Sequence, residues 1–182
     1  GTPLLPLAGE MSPSDVAVVE LSSFQLLDMR RSPGVAVVTN VAPNHLDVHR
    51  DMAEYVAAKE NVFRFQGPDG VAVFNADNEI TRAFSQRARG RVLAFSRRTR
   101  PANGVYLEGD TIYRAGPQPQ KLLTRRDILL PGLHNVENYM AAIAAVDGIV
   151  PDKCVRAVAQ RFTGVEHRIE LVRELDGVRW YN

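Results

Sequence analysis

The chain has 182 residues, of which 45% are hydrophobic and 24% are charged, and this composition is typical of one globular domain with a substantial core. Its formal net charge of +1 gives no reason to expect a nucleic-acid partner. The single cysteine, Cys154, excludes an internal disulfide and fits a reducing cytoplasm. We find no signal-peptide pattern and no apolar run of the roughly 18 residues that a membrane span requires. We therefore expect a cytoplasmic protein that binds no membrane, and no pattern demands more than a monomer.

Short apolar runs alternate with helical patterns along much of the chain. The runs are continuous, which is typical of parallel strands covered on both faces. The predicted strands are 16–19, 35–39, 71–74 and 92–95, and the predicted helices are 52–65, 78–89, 136–146 and 153–162. This order predicts an α/β fold with a mostly parallel, doubly wound sheet flanked by helices.

Residues 104–130 interrupt that alternation. Gly109 and Asp110 separate two strand-like runs and predict a β-hairpin, and residues 121–130 could add a third antiparallel strand. We expect a small β meander attached to the parallel sheet. Near residue 165 the helical pattern stops, so we place a domain boundary between residues 1–165 and 166–182.

A carboxylate directly follows the first predicted strand. Glu20 ends the apolar part of the run Val-Ala-Val-Val-Glu-Leu-Ser-Ser-Phe-Gln-Leu. Ligands of open α/β sheets bind outside the carboxyl ends of the strands. Glu20 is thus either a Mg²⁺ ligand, since Mg²⁺ prefers oxygen donors, or a solvated loop acid.

Lys59 falls within the apolar stripe of the predicted helix 52–65. Asp51 and Glu54 predict a capping box that opens this helix. A lysine on the buried side must extend its amine to water, pair with a carboxylate, or have its pKa lowered by desolvation. The stripe consists of Met52, Tyr55, Val56, Val62 and Phe63.

Histidines follow the second predicted strand. His45 lies in the segment Asn-His-Leu-Asp, but imidazole suits softer metals than Mg²⁺, so a capping or surface role is open. Asp47 and His49 either support a site from behind or are exposed. Ser22 or Ser23 with His45 and Asp47 has the residue types of a hydrolase triad, but no nucleophile-elbow motif supports that interpretation.

The segment Pro-Gly-Leu-His-Asn-Val-Glu-Asn precedes and opens the predicted helix 136–146. Asn135 suits the N-cap of this helix, and Asn138 lies one turn further along the same face. From the residues alone, a capping role and a ligand-binding role are equally open for Asn135.

Several of these segments, in order and over nearly the whole chain, resemble the central ATP-binding domain of the Mur ligases of peptidoglycan synthesis. The segments are Glu-Leu-Ser-Ser-Phe-Gln-Leu, Thr-Asn-Val-Ala-Pro-Asn-His-Leu-Asp, Ala-Ala-Lys-Glu-Asn, Gly-Leu-His-Asn-Val-Glu-Asn and Phe-Thr-Gly-Val-Glu-His-Arg-Ile-Glu. The Ser-Ser-Phe-Gln that follows Glu20 resembles the branch that adds D-glutamate.

The resemblance implies a metal site. Glu20, His45 and Lys59 would be its catalytic residues and would hold two Mg²⁺ ions. Lys59 would do so as a carbamate formed with CO₂, because a bare ammonium is not a metal ligand. His45 would also contact the substrate.

The resemblance also implies binding residues. Asn135, Asn138 and Arg168 would bind ATP, although a surface position near a linker is the ordinary interpretation of Arg168. Ser22 and Gln25 would contact UDP-N-acetylmuramoyl-L-alanine.

The implied reaction joins D-glutamate to UDP-N-acetylmuramoyl-L-alanine, with ATP hydrolysis through an acyl phosphate. The chain contains no Gly-x-x-x-x-Gly-Lys-Ser/Thr phosphate loop. We therefore expect a partial P-loop-NTPase-like domain, lacking its first strand and phosphate loop and inactive alone. Two alternatives stay open. One is another amide ligase of the Mur or folylpolyglutamate synthase type, and the other is a non-catalytic binding module that keeps the fold.

Overall fold

The computed structural model describes residues 4–43, 49–165 and 171–181. Within them, six strands form one sheet in sequence order, in which the first four strands are parallel and the last two are antiparallel. The predicted parallel sheet and its attached meander are confirmed. The strands are β1 (Val35–Val38), β2 (Val71–Asn75), β3 (Arg91–Ser96), β4 (Gly104–Glu108), β5 (Thr111–Ala115) and β6 (Gln120–Thr124).

Helices cover both faces of this sheet. Helices α3 (Met52–Arg64) and α4 (Glu79–Phe84) pack on one face, and α5 (Leu133–Ala145) packs on the other. The alternation of side chains along β2 explains the two layers, since Val73 joins the core beneath α5 while Phe74 joins the core beneath α3 and α4. The helices are α1 (Leu4–Ala8), α2 (Ser23–Leu27), α3 (Met52–Arg64), α4 (Glu79–Phe84), α5 (Leu133–Ala145) and α6 (Asp152–Ala159), with a 3₁₀ turn at Arg125–Asp127.

A separate two-stranded antiparallel sheet follows, formed by β7 (Leu171–Leu175) and β8 (Val178–Tyr181). Residues 166–170 lie outside the described part of the chain, so the domain boundary at 165/166 stays a prediction. No helix among the described residues combines the length and apolarity that crossing a membrane would take.

The strand predicted at 16–19 is wrong. Val16, Val18 and Val19 are 65%, 91% and 43% exposed, and the segment lies outside both sheets. An apolar run forms a strand only where a neighbouring strand satisfies its backbone, and no described residue pairs with this one.

Two other boundaries differ in ways that matter for the site. Helix α4 ends at Phe84, which is shorter than the predicted 78–89. Helix α5 begins at Leu133, with Gly132 as its N-cap at φ 95°. Asn135 therefore lies inside the first turn, and the interpretation of Asn135 as an N-cap is wrong.

Candidate functional site

The charge of Glu20 acts on Lys59 although the two residues are far apart in the sequence. Lys59 lies on α3 and is half-buried, while Glu20 lies in the exposed segment that leads into α2. Desolvation lowers the pKa of Lys59 below its ordinary 10.5, and the negative charge of Glu20 opposes this effect by raising it. The Lys59 Nζ atom also lies 5.7 Å from the centroid of the Tyr55 ring. The structure thus gives an amine that loses its proton more readily than an ordinary lysine, within the electrostatic influence of a carboxylate.

The start of α3 fixes where Lys59 points. Asp51 caps the helix, with its Oδ1 atom accepting from the Glu54 amide at 2.9 Å. The predicted capping box is only half present, because the Glu54 carboxylate accepts from the amide of Arg50 at 2.8 Å rather than from that of Asp51. Tyr55 is buried one turn before Lys59, so the lysine stem runs along the apolar side of the helix, as the sequence predicted.

Glu20 and Lys59 differ in what they can offer to the expected Mg²⁺. Glu20 offers the hard carboxylate oxygen that Mg²⁺ prefers, and Lys59 would offer oxygens only after carbamylation. No group of three or more His, Cys, Asp or Glu side chains suited to a metal occurs among the described residues. His45, the third expected ligand, lies outside them. By chemistry alone, Glu20 and a carbamylated Lys59 would together offer the oxygen ligands that a divalent cation takes.

Ser22 and Gln25 form reciprocal hydrogen bonds at the start of α2. The Ser22 hydroxyl accepts from the Gln25 amide at 3.3 Å, and the Gln25 side-chain oxygen accepts from the Ser22 amide at 2.9 Å. This is a complete capping box, so the two residues have a structural role. Both are also exposed, which leaves them accessible to a ligand.

His49 is buried, so of the supporting and exposed positions left open by the sequence, the exposed one is wrong. It is 3% exposed, and its Nε2 atom lies 2.9 Å from the hydroxyl oxygen of the buried Ser23. Its ring stacks on Phe24 with centroids 5.3 Å apart and meets the edge of Tyr55 at 5.2 Å. From the sequence, His49 either supports a site without binding its ligand or is exposed, and its burial excludes the exposed alternative. Its partners on α2 and α3 become visible only in the fold.

A second feature is a cleft of about 320 Å³ at the carboxyl ends of β1, β2 and β3. Parallel strands present their ligand sites at this edge, and the first turn of α5 closes one side of the cleft. All of its lining residues have polar side chains, and they are Thr39, Asn40, Asn75, Asp77, Asn78, Arg97, Arg98, His134, Glu137 and Asn138.

The two asparagines of α5 take different positions relative to this cleft. Asn138 lines it and is exposed. Asn135 is only 9% exposed, is not among the lining residues, and donates its side-chain amide to the carbonyl oxygen of Pro131 at 2.7 Å. The Asn135 Oδ1 atom accepts from the side-chain NH₂ group of Asn138 at 3.4 Å. Asn135 therefore supports the turn that presents Asn138. Arg168 lies outside the described residues.

Charged side chains that the sequence did not single out organise the wall of the cleft. Arg97 pairs with Glu137 through Nε and Oε1 at 2.5 Å, and its backbone amide donates to Asp77 at 2.7 Å. Ser96 donates its hydroxyl to the other oxygen of Asp77 at 2.6 Å. This network ties the end of β3 to β2 and α5. No pattern in the sequence indicated it, since its members come from three separate segments.

A profile of the Mur ligase middle domain matches residues 3–146. The chain belongs to the Mur ligase family. UDP-N-acetylmuramoylalanine–D-glutamate ligases match this Mur ligase chain along its whole length. The enzyme of Acetivibrio thermocellus is 52% identical over 183 residues, and that of Symbiobacterium thermophilum is 51% identical over 187 residues. The chain covers 39% of the first relative and 41% of the second.

Solved structures resemble this Mur ligase domain in fold. MurF from Acinetobacter baumannii superposes with a TM-score of 0.61 at 20% sequence identity, covering 79% of this chain and 32% of that one. A UDP-N-acetylmuramoyl-L-alanyl-D-glutamate–2,6-diaminopimelate ligase also gives a TM-score of 0.61, at 24% identity, with 77% of this chain and 30% of that one covered. At such identities the likeness establishes the fold alone.

Proposed function

We propose that this chain is the central part of an ATP-dependent ligase that joins D-glutamate to UDP-N-acetylmuramoyl-L-alanine. The observation that carries the proposal is the half-buried position of the Lys59 amine on the apolar side of α3, where it also senses the charge of Glu20. The identity to D-glutamate ligases along the full chain supports the choice of amino acid. The chain spans about 39% of the length of those relatives, so the reaction belongs to the longer protein.

Lys59 is proposed to act as a carbamate. Its neutral amine attacks the carbon of CO₂, an N–C bond forms, and the amine loses one proton to solvent, leaving an anionic carbamate. Desolvation supports this step, because it lowers the pKa of Lys59 and so raises the fraction of neutral amine at a given pH. Glu20 works against the step while no cation is near, since its charge favours the ammonium form.

The carbamate of Lys59, the Glu20 carboxylate and His45 are the residues that would hold Mg²⁺. When bound, Mg²⁺ would supply positive charge that offsets repulsion between anionic phosphate and carboxylate oxygens. Two adjacent anions on the protein disfavour each other without such a cation. Carbamylation and metal binding should therefore strengthen one another.

The cleft at the carboxyl ends of β1, β2 and β3 is proposed to bind ATP. Its polar lining and its position at the first turn of α5 support this choice. Asn138 is the proposed contact, Asn135 holds the turn that presents it, and Arg168 would add a permanent positive charge.

Ser22 and Gln25 are proposed to meet the sugar-nucleotide substrate, together with His45. Gln25 uses its side-chain oxygen within the capping box, which leaves its side-chain NH₂ group able to donate to a substrate oxygen. We further propose that residues 166–182 begin another domain, in keeping with the separate β7–β8 sheet.

The test is ADP release by the full-length protein that contains this chain, with UDP-N-acetylmuramoyl-L-alanine and ATP present. D-Glutamate, L-alanine, meso-diaminopimelate and L-glutamate are compared as the second substrate. We expect stimulation by D-glutamate alone, and no turnover by the 182-residue chain by itself. Preference for another amino acid would assign a sister ligase, and nucleotide binding without turnover would assign a non-catalytic module.

A further inference from the structure

His49 occupies the junction between the segment that carries Glu20 and the helix that carries Lys59. Its Nε2 atom lies 2.9 Å from the Ser23 hydroxyl, at the first residue of α2. The same ring contacts α3, where Tyr55 meets it edge-on with ring centroids 5.2 Å apart. One buried ring thus contacts both elements of the Glu20–Lys59 pair without being a member of it.

The surroundings of His49 fix its orientation. Phe24 stacks on the ring with an interplanar angle of 7°, so the imidazole plane cannot tilt without losing that contact. The Nδ1 atom faces Glu54 Oε2 at 3.7 Å, and the same carboxylate accepts from the Arg50 amide at 2.8 Å. The ring is therefore held by aromatic packing on two sides and by a polar group at each nitrogen.

These contacts do not make a nucleophile. Ser23, His49 and Glu54 have the residue types of a hydrolase triad, but Ser23 is 2% exposed, so no substrate carbonyl reaches its hydroxyl. The His49–Glu54 separation of 3.7 Å is also longer than a hydrogen bond. The Ser23–His49 contact instead suits a structural role that joins α2 to α3, and we call this contact the clamp.

We propose that His49 is a positioning residue that keeps the Glu20 segment at the distance from α3 at which Glu20 and Lys59 share a divalent cation. This inference rests on the proposed function. Glu20 comes only three positions before Ser23, so the Ser23–His49 bond limits how far the Glu20 carboxylate can move away from α3. Neighbours that orient metal ligands typically change metal affinity or activity by about 10- to 100-fold when they are removed.

Two substitutions remove the clamp in different ways. His49→Phe keeps an aromatic ring for Phe24 and Tyr55 but loses the nitrogens, and Ser23→Ala removes only the hydroxyl. In the full-length ligase we expect each to lower kcat and to weaken Mg²⁺ binding by about 10-fold, with little change in the KM for ATP. The double variant should be no worse than either single variant, because both act through one bond. His49→Gln should recover part of the loss, since its amide reaches as far as Nε2.

Asn61 provides a matched control on the same two helices. Its buried side chain donates to the carbonyl oxygens of Leu26 at 2.9 Å and Leu27 at 3.3 Å, which joins α3 to the far end of α2. Asn61→Ala should lower the melting temperature but leave the Mg²⁺ affinity within about twofold of wild type.

Mg²⁺ affinity is measured by calorimetric titration, kcat and KM by ADP release, and folding by thermal melts. A wild-type protein without D-glutamate-dependent turnover would refute the proposed function. If the wild type is active, wild-type Mg²⁺ affinity in His49→Phe or Ser23→Ala would refute the clamp. Loss of affinity in Asn61→Ala equal to that in Ser23→Ala would also refute it, because any loosening of α2 would then suffice.

Discussion

The two asparagines of α5 provide a test that separates folding from nucleotide binding. Asn138→Ala removes an exposed side chain in the cleft, so the stability should change little. The loss of one neutral hydrogen bond to ATP costs roughly 1 kcal/mol, or about a fivefold rise in Kd.

Asn135→Ala should behave in the opposite way. Its side chain is 9% exposed, and removing it leaves the carbonyl oxygen of Pro131 without its donor at 2.7 Å. The loss of this hydrogen bond costs about 1 kcal/mol, which lowers the melting temperature of a domain this size by about 2 to 4 °C. The Kd for ATP should rise less than in Asn138→Ala, because Asn135 acts only through the turn.

The assay combines urea unfolding with a titration of the nucleotide into each full-length variant. Leu133→Ala is a control on the same helix turn, because its exposed side chain is not among the residues that line the cleft. The reasoning is refuted if Asn138→Ala destabilises the protein by more than 1 kcal/mol, or if Asn135→Ala weakens ATP binding more than Asn138→Ala does.

Three other outcomes are expected. Lys59→Ala should lower ligase activity by at least about 100-fold. Added short carboxylic acids should restore part of this activity by replacing the carbamate oxygens. Wild-type rates without added acid would contradict the proposed role of Lys59 as a carbamate. Asp152→Asn should lower the melting temperature by about 2 to 4 °C at neutral pH, since two hydrogen bonds from Arg114 hold the pKa of the Asp152 carboxyl below 3.8. That stabilisation is present above the ordinary pKa and disappears as pH falls through the lower folded pKa, so the difference from wild type should vanish in acid, and a pH-independent difference would argue against the ion pair. Phe74→Ala should lower the free energy of unfolding in urea by about 3 to 5 kcal/mol, because the ring is 1% exposed and its centroid lies 4.9 Å from that of Phe63. Phe65→Ala should lower it much less, because the Phe65 ring is exposed. Equal losses would contradict the assignment of Phe74 to the core.

Much of the fold was predictable because strand and helix patterns are local. The runs that became β1, β2 and β3 are apolar and short, and the Gly109-Asp110 pair placed the hairpin turn correctly. The strand at 16–19 failed for a non-local reason, since backbone pairing depends on what lies beside a segment, and composition records nothing about neighbours.

The candidate site likewise contains features that the sequence predicts and features that only the fold reveals. Lys59 was recognisable from the sequence because a lysine within an apolar helical stripe conflicts with the pattern around it. The Ser23–His49 contact and the Arg97–Glu137 pair were not recognisable, because each joins segments that only the fold brings together. The charge of Glu20 raises the pKa of Lys59, and the pairing and the roles of both residues stay predictions.

The most direct test of the Glu20–Lys59 site is carbon NMR of the full-length protein in ¹³C-labelled bicarbonate. A carbamate signal should appear for Lys59, should grow when Mg²⁺ is added, and should be absent from Lys59→Arg. A wild-type spectrum without that signal at saturating Mg²⁺, or one whose signal persists in Lys59→Arg, would contradict the proposed metal site.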